Sequence, residues 1–304
     1  MNVALIGYGE VGRILAEDLR ATGQTVSAFD LKLDADAEAG AAMRAHARAH
    51  AVTLAGSHAE AVRSAELVVS AVTAAQTVAA AEACAAALPA GSFFLDLNSA
   101  SPGAKDAAAR MVSSGAGRYV EGAVMTAVPP HRIKVPLLLG GPDAAALVPQ
   151  LRELGFSAKV ASGRLGVASA TKMCRSVIIK GLEAMLIESL TAARRHGVED
   201  AVLASLRETF PSIDWERQAA YFFQRVIEHG RRRGEELREA AVTVQEADLT
   251  PWSASGTAER QTWVAELADR GVFGERGTPA FARSEDWRVE ADRIIDHLHA
   301  SRET

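Results

Sequence analysis

Residues 2–12 read NVALIGYGEVG, and this stretch decides the fold. Asn2 to Ile6 is a short apolar run of the kind buried on both faces in a parallel sheet. GYGEVG follows, with glycines at 7, 9 and 12, and an amphipathic pattern then runs from Val11 to Thr22. The next strand, TVSAFD, ends in Asp30. A GxGxxG alone is a weak signal. Here it follows a strand, opens a helix and precedes an acidic strand end about twenty residues on, which is the context a dinucleotide-binding βαβ unit requires.

Each position in the turn has a physical task. Gly7 permits the tight turn, Gly9 lets a pyrophosphate approach backbone N–H groups at the helix N-terminus, and Gly12 lets helix and strand pack closely. Tyr8, Glu10 and Val11 complete this cofactor-binding turn, and Asp30 would take the adenosine ribose hydroxyls. A carboxylate there repels a 2′-phosphate, so NAD is the expected cofactor, with Lys32 two residues on softening the exclusion of NADP.

The alternation continues through an alanine-rich helix over Asp36–Ala51, a strand at Val52–Leu54, a helix over His58–Ser64 and the apolar strand Glu66–Val72. Val72 and Thr73 end that strand on the side where a dinucleotide lies in a doubly wound sheet. After a helix over Ala75–Ala87, SFFLDLNSASP gives a buried strand tipped by Asp96, Asn98 and Ser99. Asn98 is the candidate for orienting the nicotinamide or the substrate; Ser99 is a candidate on the substrate side and, like Ser101, reads equally well as a cap of the helix that Pro102 starts. RYVEGAVM and VPLLLGG are two further strands, with TAVPPHRIK between them. This loop offers Thr126 and backbone N–H groups to an anionic substrate; His131, Arg132 and Lys134 in it read as a solvated basic run. A helix over Pro142–Leu154 and the strand FSAKVA close a first domain, residues 1–162.

A second decisive stretch begins at Gly163. GRLGVASATKMCRSVIIKGLEAMLIESLTAARRH carries apolar residues at helical spacing up to His196, and Gly197 stops it. It reads as one long interdomain helix opening an all-helical domain, residues 163–304, and bordering the cleft between the two. Lys172, in its first turns, is flanked by small and apolar residues, where partial desolvation would lower its pKa toward that of a general base. Beyond it lie helical segments over Ala201–Thr209, Ile213–His229, Gly234–Glu246, Ser255–Asp269 and Asp286–Ser301, with breaks at Pro211, Pro251 and Gly271–Pro279. Trp215, Tyr221, Phe222, Phe223, Trp252 and Trp263 read as core or subunit contact, and Arg231, Arg232 and Arg233 as a solvated face.

Bulk properties narrow the function classes. The chain has 304 residues, 48% hydrophobic, with a net charge of −5; two domains can be filled, and no basic footprint for nucleic acid exists. Cys84 and Cys174, both in helical segments, suit a reducing compartment better than a disulfide scaffold, and Cys174 reads as packing. The chain enters a strand at once and holds no apolar run long enough for a bilayer, so a cytoplasmic protein that is neither exported nor membrane-bound is expected. His46 and His50 have the i, i+4 spacing of two metal ligands, but no HExxH glutamate and no third ligand is evident in the sequence; no metal is expected.

With these features assembled, the chain resembles the β-hydroxyacid dehydrogenases, the group containing 3-hydroxyisobutyrate and 6-phosphogluconate dehydrogenases. VALIGYGEVG is similar to that family's opening, and GRLGVASATK to its GxxGxGxxxK segment, with Ala168 replacing the last glycine. The resemblance carries over Lys172 as the catalytic lysine, supports Asn98 and Ser99, and implies a Rossmann-type doubly wound sheet followed by an all-α domain. It also implies a small hydroxy acid substrate and a homodimer or dimer multiple. Two departures stand out. The family's asparagine after the lysine is replaced by Arg175 or Ser176, and its DxPVSGG substrate segment by EGAVMTA, which includes Met125, Thr126 and Ala127. The expected reaction is hydride transfer between NAD(P) and a hydroxy acid, in a less characterised branch. The alternatives are an imine reductase on the same scaffold and a dinucleotide-binding protein without chemistry.

Overall fold

The structure is a computed structural model that describes residues 1–278, 281–282 and 284–301. In chain order its elements are β1 (Asn2–Ile6), α1 (Glu10–Ala21), β2 (Thr25–Phe29), α2 (Lys32–Ala35), α3 (Ala37–Ala49), β3 (Thr53–Leu54), α4 (His58–Val62), β4 (Leu67–Ser70), α5 (Thr77–Ala85), β5 (Phe93–Asp96), α6 (Pro102–Ser114), β6 (Arg118–Val124), α7 (Val128–His131), β7 (Pro136–Gly140), α8 (Ala144–Glu153) and β8 (Ser157–Ser162). Then come α9 (Val167–His196), α10 (Glu199–Thr209), α11 (Trp215–Gln245), α12 (Trp252–Asp269) and α13 (Trp287–Ala300). Pro279, the end of the expected break after Gly271, lies outside the described residues.

The eight strands form one sheet in the order β3-β2-β1-β4-β5-β6-β7-β8. All neighbours are parallel except β6 and β7, which pair antiparallel through the short link that carries α7. This is the doubly wound arrangement, with two strands added beyond β6. Its central strands are apolar along their length because helices cover both faces, and Leu5, Ile6, Val68, Val69, Phe94 and Leu95 are all buried.

The chain divides into two compact units, Met1–Met173 and Cys174–Thr304. Helices are the only regular secondary structure among the described residues of the second, with Leu186, Leu190, Phe222, Phe223, Val264 and Trp287 among its core residues. Among the described residues no helix is long and apolar enough to cross a membrane.

Three expectations for the helical part need correction. The segments expected over Ile213–His229 and Gly234–Glu246 are one helix, α11. The glycines in and beside the gap between those two segments are contact points: a Cβ at Gly230 would lie 2.5 Å from the Gln261 carbonyl oxygen, and one at Gly234 would lie 2.6 Å from Thr262 Oγ1. α12 therefore crosses α11 at close range. Arg233 is not on a solvated face. It is buried, and its guanidinium pairs with the buried carboxylate of Glu183, to which Gln261 also donates. Lys180 beside it is buried on Glu236 at 2.7 Å, and burial holds its ammonium below the ordinary lysine range. Of the six large aromatics, Trp215, Phe222 and Phe223 are buried, whereas Trp252 is 81% exposed. Cys174 is also exposed, so it is not a packing residue; Cys84 is buried, which pushes its thiol up to about 12.

In an isolated helix, Gly230→Ala would favour the helix by about 1 kcal/mol. Here the new methyl group meets a carbonyl oxygen, and the variant is expected to lose about 1–3 kcal/mol of stability in urea unfolding. A variant as stable as the parent would show that α12 has room to move away.

Candidate functional site

The glycine turn fits a dinucleotide diphosphate on three counts. Gly7 has φ +93°, and a Cβ there would come 2.4 Å from the Ala71 carbonyl oxygen, so this position must lack one. Gly12 faces the Gly7 carbonyl at 2.1 Å from a hypothetical Cβ, which brings α1 tight against the end of β1. A Cβ at Gly9, by contrast, would meet nothing within 4 Å. Gly9 caps α1 without any side-chain hydrogen bond to the first turn, so the open side of the turn is bordered by backbone N–H groups of a helix N-terminus. Glu10 is exposed there, Val11 is partly buried, and Tyr8 turns its ring into the core.

Asp30, just past β2, holds the turn from the other side. One carboxylate oxygen accepts from Tyr8 N at 2.8 Å and the other from Lys32 N at 2.9 Å. Each oxygen keeps lone-pair capacity that ribose hydroxyls could use.

The tips of β4 and β5 are tied together. Asn98 Oδ1 accepts from Val72 N at 2.7 Å, and its Nδ2 donates to Ser70 Oγ at 3.0 Å. Both ends of the Asn98 amide are thus engaged in shaping the strand ends, while Thr73 next to Val72 is exposed. Beneath lies a buried cluster that sequence reading missed. Lys105 and Asp96, 1% and 0% exposed, pair at 2.7 Å, and Tyr119 Oη donates to the other Asp96 oxygen at 2.6 Å. Burial first, then the Asp96 charge, pushes the Tyr119 phenol well above its ordinary range. Asp96 also accepts from Asn98 N at 2.9 Å, so the cluster fixes the backbone that presents Asn98 and Ser99.

Lys172 lies in α9, and its Nζ donates to Ser99 Oγ at 2.5 Å. The helix start is set by Glu121 of β6, a fully buried carboxylate that accepts from Ala168 N at 3.0 Å and from Ser169 Oγ at 2.8 Å. Gly140 on the neighbouring strand leaves room for it: a Cβ there would come 2.1 Å from Glu121 Oε1. A continuous set of contacts therefore joins distant parts of the chain. Lys172 touches Ser99, its neighbour Asn98 holds Val72, and Ala71 packs against Gly7.

Other expected site residues are less engaged. Met125 N donates to Pro136 O at 3.0 Å, and Thr126 is exposed. Arg132 is not part of a loosely solvated basic run: it bonds Glu17 at 2.6 Å and Asp18 at 2.9 Å on α1. Arg175 is exposed and Ser176 buried, and both lie in the part of α9 that belongs to the second unit. Glu121 had a sequence signal, a charge in the interior of an otherwise apolar stretch of strand, whereas Lys105, one of three charges in its helix, had none; what they pair with becomes visible only in the fold.

These features define a Rossmann-type dinucleotide-binding protein with an all-helical second part. The profile described as the NAD binding domain of 6-phosphogluconate dehydrogenase matches residues 2–143, and a domain of unknown function, DUF1932, matches residues 193–264. The chain belongs to the β-hydroxyacid dehydrogenase family, in a less characterised branch. A conserved hypothetical protein from Sinorhizobium meliloti 1021 is 36% identical over 96% of both chains, with a TM-score of 0.76. The conserved protein MTH1747, of unknown function and structurally similar to 3-hydroxyacid dehydrogenases, is 28% identical, with 88% of this chain and 99% of that one covered and a TM-score of 0.69. The fold is shared with 3-hydroxyisobutyrate dehydrogenase of Mycobacterium tuberculosis, solved with L-serine, at 16% identity and a TM-score of 0.70 over 96% of this chain and 98% of that one. An uncharacterized 28.5 kDa protein of Methanothermus fervidus is 28% identical over 162 residues; the match takes in 52% of this chain and spans 60% of that curated relative's length.

Removing the Glu121 carboxylate leaves the first turn of α9 without its acceptor. Glu121→Ala is expected to cost about 1–3 kcal/mol and to speed hydrogen exchange at the Ala168 amide. Unchanged exchange there would mean the helix start is held by something else.

Proposed function

We propose that the protein is a nicotinamide-dependent oxidoreductase that moves hydride between NAD and a small hydroxy acid, with Lys172 as general acid and base. The observation that carries this reading is the Lys172 amine resting on Ser99, one residue from the tie that shapes the cofactor-side strand ends. The turn from Gly7 to Gly12, with Tyr8, Glu10 and Val11, would hold the diphosphate, Asp30 the adenosine ribose, and Val72, Thr73 and Asn98 the far side of the dinucleotide. Ser99, Met125 and Thr126 would border the substrate, with Arg175 and Ser176 taking the places of the family's asparagine.

The nicotinamide, when bound, supplies the hydride acceptor in oxidation and the hydride donor in reduction. Lys172 does the proton work. In the neutral form its Nζ takes the hydroxyl proton as the carbinol C–H bond breaks; as the ammonium it returns that proton to the forming alkoxide and stabilises its charge. Ser99 keeps Nζ at a fixed place by accepting its hydrogen bond. The two free cysteines fit work in the reducing cytoplasm.

Lys172→Met should lower turnover by about 10²–10⁴-fold in assays on a panel of hydroxy acids and cyclic imines. NADH affinity by calorimetry should stay near the parent's and exceed NADPH affinity. Parental turnover in the variant would remove Lys172 from the chemistry, and imine reduction alone would move the protein to the other reaction class.

The reading includes a homodimer through the helical unit. Ile178, Leu182 and Met185, at helical spacing on α9, are 65%, 36% and 60% exposed, an apolar stripe of the kind that subunit contacts cover. Met185→Glu should shift sedimentation from dimer toward monomer; a parent chain that sediments as a monomer at all concentrations would rule the dimer out.

A further inference from the structure

We propose that Glu17, His46 and His50 form a binding site for one transition-metal ion of the zinc class. His46 lies in the last turn of α3 and His50, four residues on, caps its C-terminus, so their rings share a face, stacked with centroids 4.4 Å apart. The third ligand, which the sequence did not reveal, comes from α1. Ligand atoms of Glu17, His46 and His50 all lie within 4.8 Å of one another.

The donor chemistry selects the metal. Two imidazoles and a carboxylate suit zinc, cobalt, nickel or copper, whereas calcium and magnesium require oxygen ligands. Glu17 Oε1 lies 2.9 Å from His46 Nε2. In a tetrahedral zinc site with bonds of about 2.0 Å, two ligand atoms are about 3.3 Å apart, so a metal ion could take the place of the proton those two atoms share with a small outward shift. His50, half-buried on the following turn, closes the third side by adjusting its side-chain torsions, and water completes the shell.

The surroundings match those of a metal-bound histidine. Such a ring usually donates its second N–H to an oxygen that fixes its tautomer and orientation. His46 Nδ1 lies 2.9 Å from the Tyr8 hydroxyl. The Tyr8 phenol is held up to about 12, chiefly by burial, and so remains a neutral partner. Glu17 is held below the usual carboxylate range by the His46 hydrogen bond and then by Arg132, so it is an anionic donor. Arg132 occupies the other carboxylate oxygen, Oε2, which leaves Oε1 as a single-atom ligand. Two further guanidiniums are engaged by backbone carbonyl oxygens, Arg20 by those of His50 and Gln24 and Arg13 by that of Gly9. Tyr8 belongs to the glycine turn, and its backbone N–H bonds Asp30. The metal site is thereby one side chain away from the dinucleotide loop, although its chemistry does not depend on the dehydrogenase reading.

The test uses the full chain, freed of any affinity tag and stripped of metal with a chelator, titrated with Co2+ and followed by its visible ligand-field bands and by calorimetry. One equivalent should bind, with bands of a four- or five-coordinate nitrogen–oxygen site, and Zn2+ should displace it. His50→Ala should weaken binding at least tenfold while its unfolding temperature without metal stays that of the parent. Glu17→Gln provides a second ligand deletion should the first variant fold poorly. No saturable 1:1 binding by the parent, or parental affinity in both variants, overturns the proposal.

Discussion

The buried carboxylate of Glu121 is the constraint on which the candidate site rests. It sits on β6, an interior strand of the sheet, fully enclosed, and accepts from the first turn of a helix that begins more than forty residues later in the chain. A buried carboxylate without partners would be costly, so sheet and helix start are locked to each other. Lys172 lies about one turn further along that helix. Its amine meets Ser99 because the direction and rotation of the helix are set at Glu121. The missing side chain at Gly140 belongs to the same device, since any Cβ there would occupy the carboxylate's place.

The strand ends follow similar logic. Backbone groups at the carboxyl ends of parallel strands lose their ladder partners, and here side chains replace them. Asn98 bridges the ends of β4 and β5, and Asp96 takes Lys105, Tyr119 and the Asn98 amide at once. A network in which every member is satisfied in a low-dielectric interior is stiff. That stiffness suits a site where a small error in position would be felt in the rate.

Much of the first unit was legible because its signals are local. The glycine turn, the apolar strands and the acidic end of β2 each follow from a few adjacent residues, and so does the long helix that carries Lys172. What was illegible depends on partners far apart in the chain. Nothing near Glu121 announces that its acceptor role is at Ala168, and nothing near His46 announces Glu17. The continuity of α11 was illegible for a related reason: glycine, as at Gly230 and Gly234, weakens a helix in isolation but is required where another helix passes closely, and local pattern cannot distinguish the two. Arg233 was misread as solvated because three successive arginines resemble a surface run, yet only the third turns toward Glu183.

The φ of +52° at Arg132 has a mechanical meaning. A residue with a Cβ holds that backbone shape only against resistance, and here its guanidinium is clasped by two carboxylates of α1. The segment after Thr126 is therefore riveted to the same helix whose amino end shapes the glycine turn. The two behave as one stiff bracket, and any breathing that admits or releases a small molecule has to originate in parts of the protein that this bracket does not include.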